Sequence, residues 1–325
     1  MKSAAPASRF HFFGEPMGLI LGALHSPLHT AASATLSICG AESNVSIGLA
    51  RLGHPCTFHT VVGNDPYGER VIRTLRAEGI DVGGIRKAEG EVTGLLSRTC
   101  HAWREPDVFY HRSHSAFSRL ASAAAEAASR ALRPGDTLFT TGITPAVSAE
   151  TRRATQRLIA DARERGATVC LDANLRRKLW SEAEYRATLL PLLPQIEVLF
   201  LSLAEGEALT QESDPAAIIG RLFEAGASEI VIKDGAHGAH YHSRHCPPLH
   251  MPAFPLERVV DPIGAGDAFD AGFLAARARG EAPRKCLETG AALGALACLT
   301  PGDWESLPSP EDLERFLSRN TEAAR

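Results

Sequence analysis

The stretch Asp261-Pro262-Ile263-Gly264-Ala265-Gly266-Asp267-Ala268-Phe269 decides how this chain of 325 residues reads. Small residues at 264–266 let the backbone approach a ligand closely and take up φ values that other residues avoid. Phe269, Phe273 and Ala276 then fall on one helical face with Gly272 beside them, so the glycines open a helix. Free N–H groups and the positive end of the helix dipole make such a position a site for a phosphate-like anion. A carboxylate at Asp267 is electrostatically unfavourable there unless it works, and accepting a proton from a hydroxyl nucleophile is such work. The plainer reading is a Gly-rich turn with Asp267 as a capping residue. No G-x-x-x-x-G-K-[ST] occurs. Gly264-Ala265-Gly266 runs into Asp-Ala-Phe without a third glycine, late in the chain, which argues against a dinucleotide site.

The length allows one large α/β domain with a substantial core. A net charge of -4 with mixed signs gives no footprint for nucleic acid. Seven cysteines, an odd number without a C-x-x-C pair, read as reduced thiols of a cytoplasmic protein. Met1 to Arg9 read as a disordered tail before a domain spanning 10–325. The apolar stretch from Met17 to Cys39 contains His25, Pro27 and His29, so no membrane span is expected.

Phe10 to Phe13 reads as a first strand, ended by Gly14-Glu15-Pro16. Val45, Leu49 and Leu52 have helical spacing and Gly53 stops them. Cys56 to Val62 is a strand, Asp65 an N-cap, Pro66 a first helical residue and Gly79 a stop. Trp103, Val108, Phe109 and Tyr110 suit strands. Further strands are expected at Thr137–Ile143, Thr168–Leu171, Val198–Leu201 and Glu229–Lys233. Between and after them come helices near 148–165, 215–225, 283–298 and 309–320. Such alternation implies βαβ units and a mostly parallel sheet covered on both faces. Ligands bind beyond the carboxyl ends of such strands. Those ends are followed by Gly142-Ile143, by Asp172, Asn174 and Arg176, by Ser202 and Glu205, by Lys233 to Gly235, and by the 261–267 loop.

The 261–269 stretch resembles the C-terminal signature D-x-x-G-A-G-D-x-F of the ribokinase-like (pfkB) carbohydrate kinases. Gly40-Ala41-Glu42-Ser43-Asn44, leading into a helix that ends Ala50-Arg51-Leu52-Gly53, is similar to the family's other signature. The resemblance implies a three-layer α/β/α fold with a small β-sheet lid, built here from residues 17–39 and 91–114. It also implies a kinase using ATP and Mg²⁺, with the requirement for a monovalent cation such as K⁺ left open. Asp267 would be the base, and Gly264, Ala265 and Gly266 the anion hole. Asp172-Ala173-Asn174-Leu175-Arg176 fits D-x-N-x-R, giving Asn174 to the substrate and Arg176 to the substrate or the transferring phosphate. Ser202 and Glu205 stand where the family has N-x-x-E, so Glu205 and Asp261 are the expected metal-side carboxylates. Ser202, Lys233, Gly235 and Gly238 are expected along the nucleotide, beneath a wall formed by Ala291 to Cys298.

Tyr110-His111-Arg112 resembles the Y-x-R segment typical of the family's 2-keto-3-deoxygluconate kinases. Gly40, Asn44, Tyr110, Arg112 and Ile143 would then contact the sugar. A second cation, Arg112 beside Arg176, suits a carboxylated sugar acid, while fructose, ribose and 2-keto-3-deoxygalactonate remain alternatives. A binding protein without turnover is a second class of function. The resemblance also suggests a homo-oligomer paired through the lid. His237, His240, His242 and His245 have a spacing that could ligate Zn²⁺ or Ni²⁺, but they lie on an expected surface hairpin with Arg244.

Overall fold

A computed structural model describes residues 8–101 and 106–323, with side chains up to residue 319. Strand β1 (Phe10–Phe13) is buried along its length, as a run apolar on both faces requires at the centre of a parallel sheet. The other strands are β2 (Met17–Leu24), β3 (Ala34–Cys39), β4 (Cys56–Gly63), β5 (Ile85–Ala88), β6 (Leu95–Cys100), β7 (Val108–His111), β8 (Thr137–Thr141), β9 (Thr168–Asp172), β10 (Val198–Ser202), β11 (Glu229–Lys233), β12 (Ala239–Ser243) and β13 (Leu249–Met251). Nine of them form one sheet in the order β13-β12-β11-β10-β9-β8-β1-β4-β5, parallel from β5 to β11 and closed by an antiparallel hairpin.

Alternation along each strand feeds two cores. Phe12, Cys170, Phe200 and Val231 face one, among the helices Ala41–Arg51, Pro66–Ala77, Ala265–Ala278 and Pro283–Ala297. Phe13, Leu171, Leu199, Leu201 and Ile232 face the other, among Ala116–Ala131, Ala149–Glu164, Glu182–Leu189 and Pro215–Glu224. This is the expected α/β/α sandwich. Small residues set the spacing on the first face. A side chain at Gly48 would begin 2.6 Å from the Ala271 Cβ, and one at Gly272 would begin 2.6 Å from the Thr289 carbonyl oxygen.

The lid is a second sheet of four strands, β3-β2-β6-β7, mixed because β2 and β6 run parallel. Its own core is Met17, Leu19, Leu21, Cys39, Leu96 and Cys100, with Val108 and Tyr110 packed against it. Both expected insertions thus supply strands. Trp103 lies outside the described residues, as do residues 1–7. Arg9 does not belong to a loose tail: its backbone N–H donates to Asp136 and its guanidinium to Thr57. The strand expected through Ile143 stops at Thr141, because Ile143–Ala146 makes a helical turn. No helix among the described residues is long and apolar enough to cross a membrane.

Beneath the sheet's amino end, His11 Nδ1 lies 2.9 Å from His59 Nε2, and His11 Nε2 lies 3.3 Å from Asp136. Burial lowers both imidazoles, His59 to about 3 from 6.5. His59 is therefore neutral in the fold and gains a proton on unfolding once the pH is below 6.5. Its contribution is fully present above that value and is lost as pH falls toward about 3, with His11 acting in the same direction. Unfolding free energy should drop by about 1.4 kcal/mol per pH unit for His59 in this window. Denaturant melts from pH 7.5 to 5 measure the slope, and His59→Phe should flatten it by about one proton.

Candidate active site

The helix Ala265–Ala278 begins at Gly264, whose φ of 82° is left-handed and which offers no capping side chain. A side chain at Gly264 would begin 2.1 Å from the Asp303 carbonyl oxygen, so only glycine fits. At Gly266 the nearest atom to an added Cβ is the Lys233 Nζ, 3.4 Å away, which leaves a cradle open to a cleft of about 1250 Å³. Residues 264–267 line that cleft. An uncapped N-terminus of a 14-residue helix, opening into a cradle, is built for an anion.

Asp267 sits one turn in. Its Oδ2 accepts a 2.7 Å hydrogen bond from Asn44 Nδ2, and the Asn44 Oδ1 is buried without a partner. Burial pushes the Asp267 carboxyl up to about 6; the Asn44 bond opposes this, Asp172 adds to it, and Lys233 and Arg176 pull it down. A carboxylate poised there can accept a proton near neutral pH. Below it, Lys233 Nζ bridges Asp172 and Asp270 at 3.0 Å each. Burial disfavours that ammonium, but the two carboxylates override it and raise its pKa. Asn174, held at a φ of 38°, donates to Asp172 Oδ2 at 3.1 Å, and Asp172 Oδ1 has no partner.

Gly40 caps the helix Ala41–Arg51 with a φ of 140°, where a side chain would begin 2.8 Å from the Glu15 carbonyl oxygen. Glu42, buried in that helix, accepts hydrogen bonds from the hydroxyls of Thr141 at 2.7 Å and Thr144 at 2.6 Å, fixing the turn that carries Ile143. From the lid come Tyr110 and Arg112, which both line the cleft. The expected pair of free cations is not found. Arg112 is buried and already paired with Glu15 Oε2, at 2.7 Å from Nε and 2.5 Å from Nη2. Arg176 is exposed on the cleft wall and makes no ion pair with a described residue, so it is a cation open to a ligand, beside Lys178, whose Nζ donates to the Val108 carbonyl oxygen at 3.1 Å.

Two carboxylates expected to serve a metal are otherwise engaged. Asp261 lies off the cleft wall, its Oδ2 accepting from Arg98 Nη2 at 2.8 Å and its Oδ1 from the Ile263 N–H at 3.2 Å. Glu205 does line the cleft, but it forms a capping box with Ser202: Oε2 accepts from the Ser202 N–H at 2.7 Å, and Oε1 from the Leu175 N–H at 2.8 Å. Among the described residues no three His, Cys, Asp or Glu side chains are grouped to hold a metal, the histidines of the β12–β13 hairpin included. The donor set therefore fits a hard cation that arrives with phosphate oxygens and keeps its water, with Glu205 and the unpartnered Asp172 Oδ1 nearby.

On the nucleotide side, Gly235 is open, whereas a side chain at Gly238 would begin 2.0 Å from the Met251 carbonyl oxygen. Gly238 thus admits the close approach of β13, and it lines the cleft as well. Ala291, Ala295 and Cys298 give the cleft an apolar wall there. Sequence reasoning missed Glu15, Glu42, Arg98 and Asp270, although Glu42 lies inside the quoted 40–44 motif. It gave Asp303 no role either.

Comparison with known proteins agrees with the fold. Residues 18–310 match the model of the pfkB family carbohydrate kinases. The chain is 35% identical over 308 residues to a 2-dehydro-3-deoxygluconokinase of Bacillus subtilis, covering 94% of each chain. It is 30% identical over 308 residues to a 2-dehydro-3-deoxygalactonokinase of Haloferax volcanii, covering 94% of this chain and 95% of that one. A putative ribokinase II of E. coli, solved with ATP and Mg²⁺, superposes with a TM-score of 0.87 at 27% identity, over 96% of this chain and 99% of that one.

The two glycines of the turn should separate folding from binding. Gly264→Ala meets a backbone oxygen and a left-handed φ that alone costs about 1–2 kcal/mol, so its melting temperature should fall by several degrees. Gly266→Ala meets only the end of a lysine and should keep its melting temperature. It should nevertheless lose the stabilisation that a nucleoside triphosphate gives the parent, as thermal melts with and without ligand will show.

Proposed function

Because the chain belongs to the pfkB family of carbohydrate kinases, and so transfers a phosphoryl group to an alcohol, we propose that its acceptor is 2-keto-3-deoxygluconate, phosphorylated by ATP at the terminal hydroxyl. The observation that carries the chemistry is Asp267, raised to about 6 beside the uncapped Gly264–Gly266 turn. Asp267 takes the proton from the terminal hydroxyl as that oxygen bonds to the γ-phosphorus. The bond from the γ-phosphorus to the bridging oxygen breaks, and ADP leaves. The backbone amides of the turn bear on the charge of the transferring group, where most of the catalysis of phosphoryl transfer resides. Mg²⁺ bound with the nucleotide would neutralise phosphate charge, its water shell against Glu205 and Asp172. The apolar lid residues Leu96 and Val108 line the cleft, and closure of the lid over a ligand would exclude water and so limit hydrolysis of ATP.

The sugar acid is supported by the likeness to the Bacillus enzyme and by Arg176, an exposed cation on the cleft wall. Arg112 serves the substrate only after Glu15, so its contribution is orientation. The Haloferax relative favours a second reading, in which 2-keto-3-deoxygalactonate is the acceptor. Seven unpaired cysteines fit a reducing cytoplasm. Leu36 and Phe109, exposed on the lid, give apolar surface for the expected pairing with a second copy.

ADP release with Mg²⁺, measured across 2-keto-3-deoxygluconate, its galacto epimer, fructose, ribose and a blank, tests the substrate. The sugar acids should give the highest kcat/KM; turnover with fructose or ribose alone would overturn the proposal. Asp267→Asn should lower kcat by about 10²–10⁴-fold with the fold intact.

A further inference from the structure

We infer that Arg98 is a positioning residue for phosphoryl transfer, the clamp through which the lid and the anion-binding turn shift together. The inference rests on reading Gly264–Gly266 as the phosphate site. Arg98 belongs to β6 of the lid, yet its side chain leaves the lid core and is 1% exposed. Its Nη2 lies 2.8 Å from Asp261 Oδ2 and 2.8 Å from Asp303 Oδ1. Those two carboxylates flank the turn. Asp261 opens it and holds the N–H groups of Ile263 and Gly302, at 3.2 Å each. Asp303 forms its floor, because its carbonyl oxygen fills the space beside Gly264. One lid guanidinium thus grips both supports of the turn whose amides face the cleft.

Charge makes the grip obligatory. Burial pushes Asp303 up to about 6, and Arg98 opposes this. Two buried carboxylates share this single guanidinium, so removing it would strand both. The grip rests on Nη2 alone, since Nε and Nη1 are buried without partners. A lysine at this position would keep the charge but not the length and fork of the guanidinium. If Arg98 were only structural, replacing it would lower stability without changing how the lid responds to ligand.

Hydrogen exchange with ADP and Mg²⁺ as the probe reads the coupling directly. In the wild type, ADP should slow exchange at 264–268 and also at 95–100. In Arg98→Lys the slowing at 264–268 should remain, while that at 95–100 should shrink by about tenfold in rate. Its kcat should fall about tenfold or more, with the KM for ATP changed less than about threefold. Asp303→Ala removes one acceptor of the same clamp and should repeat the exchange result if Arg98→Lys does not fold. Slowing at 264–268 without slowing at 95–100 in the wild type, or equal slowing at 95–100 in the variants, overturns the clamp. No slowing at either segment overturns the phosphate site and the inference with it.

Discussion

The hydrogen bond from Asn44 to Asp267, 2.7 Å long, joins two helices that begin at the same cleft. It exists because the helices Ala41–Arg51 and Ala265–Ala278 approach closely enough for Gly48 to touch Ala271. It fixes Asp267, the carboxylate proposed to take a proton from a bound hydroxyl, one turn into the uncapped helix. Each helix starts on a glycine with a positive φ, Gly40 or Gly264, and each glycine is wedged against a backbone oxygen. The two halves of the chain thus meet at a point where little can move.

Charge around that point is arranged with an excess of acid. Asp172, Asp267 and Asp270 surround Lys233, and burial drives Asp270 well above the ordinary carboxylate range. Such a cluster costs desolvation and is weak evidence of stability in itself. It keeps Asp267 from being a merely acidic side chain, while Arg176 stays exposed on the wall without an ion pair to a described residue. The central sheet permits this concentration because β9, β10 and β11 end side by side, delivering Asp172, Ser202 and Lys233 to one edge.

Much of this was legible because it is local. The turn at 261–269, the cap at Asp65 and the alternation of strands with helices are written in neighbouring residues, and the structure reproduces them. What was misread depends on partners far away in the chain. Arg112 looked like a free cation because Glu15, 97 residues earlier, carries no signal that it will neutralise it. Asp261 looked like a metal carboxylate because Arg98, 163 residues earlier, is an unremarkable residue of a strand. Ser202 and Glu205 were a different case. S-x-x-E before a helix is a capping box by spacing alone, and that reading was available.

In the proposed mechanism Asp267 acts as a base whose surroundings hold it near 6. The most direct test is the pH dependence of kcat/KM for the sugar acid at saturating ATP. A base must be deprotonated to work, so activity should be level above neutrality and fall by one proton's slope as pH drops through about 6. A profile that stays level down to pH 5, or an acid limb that persists in Asp267→Asn, would contradict it.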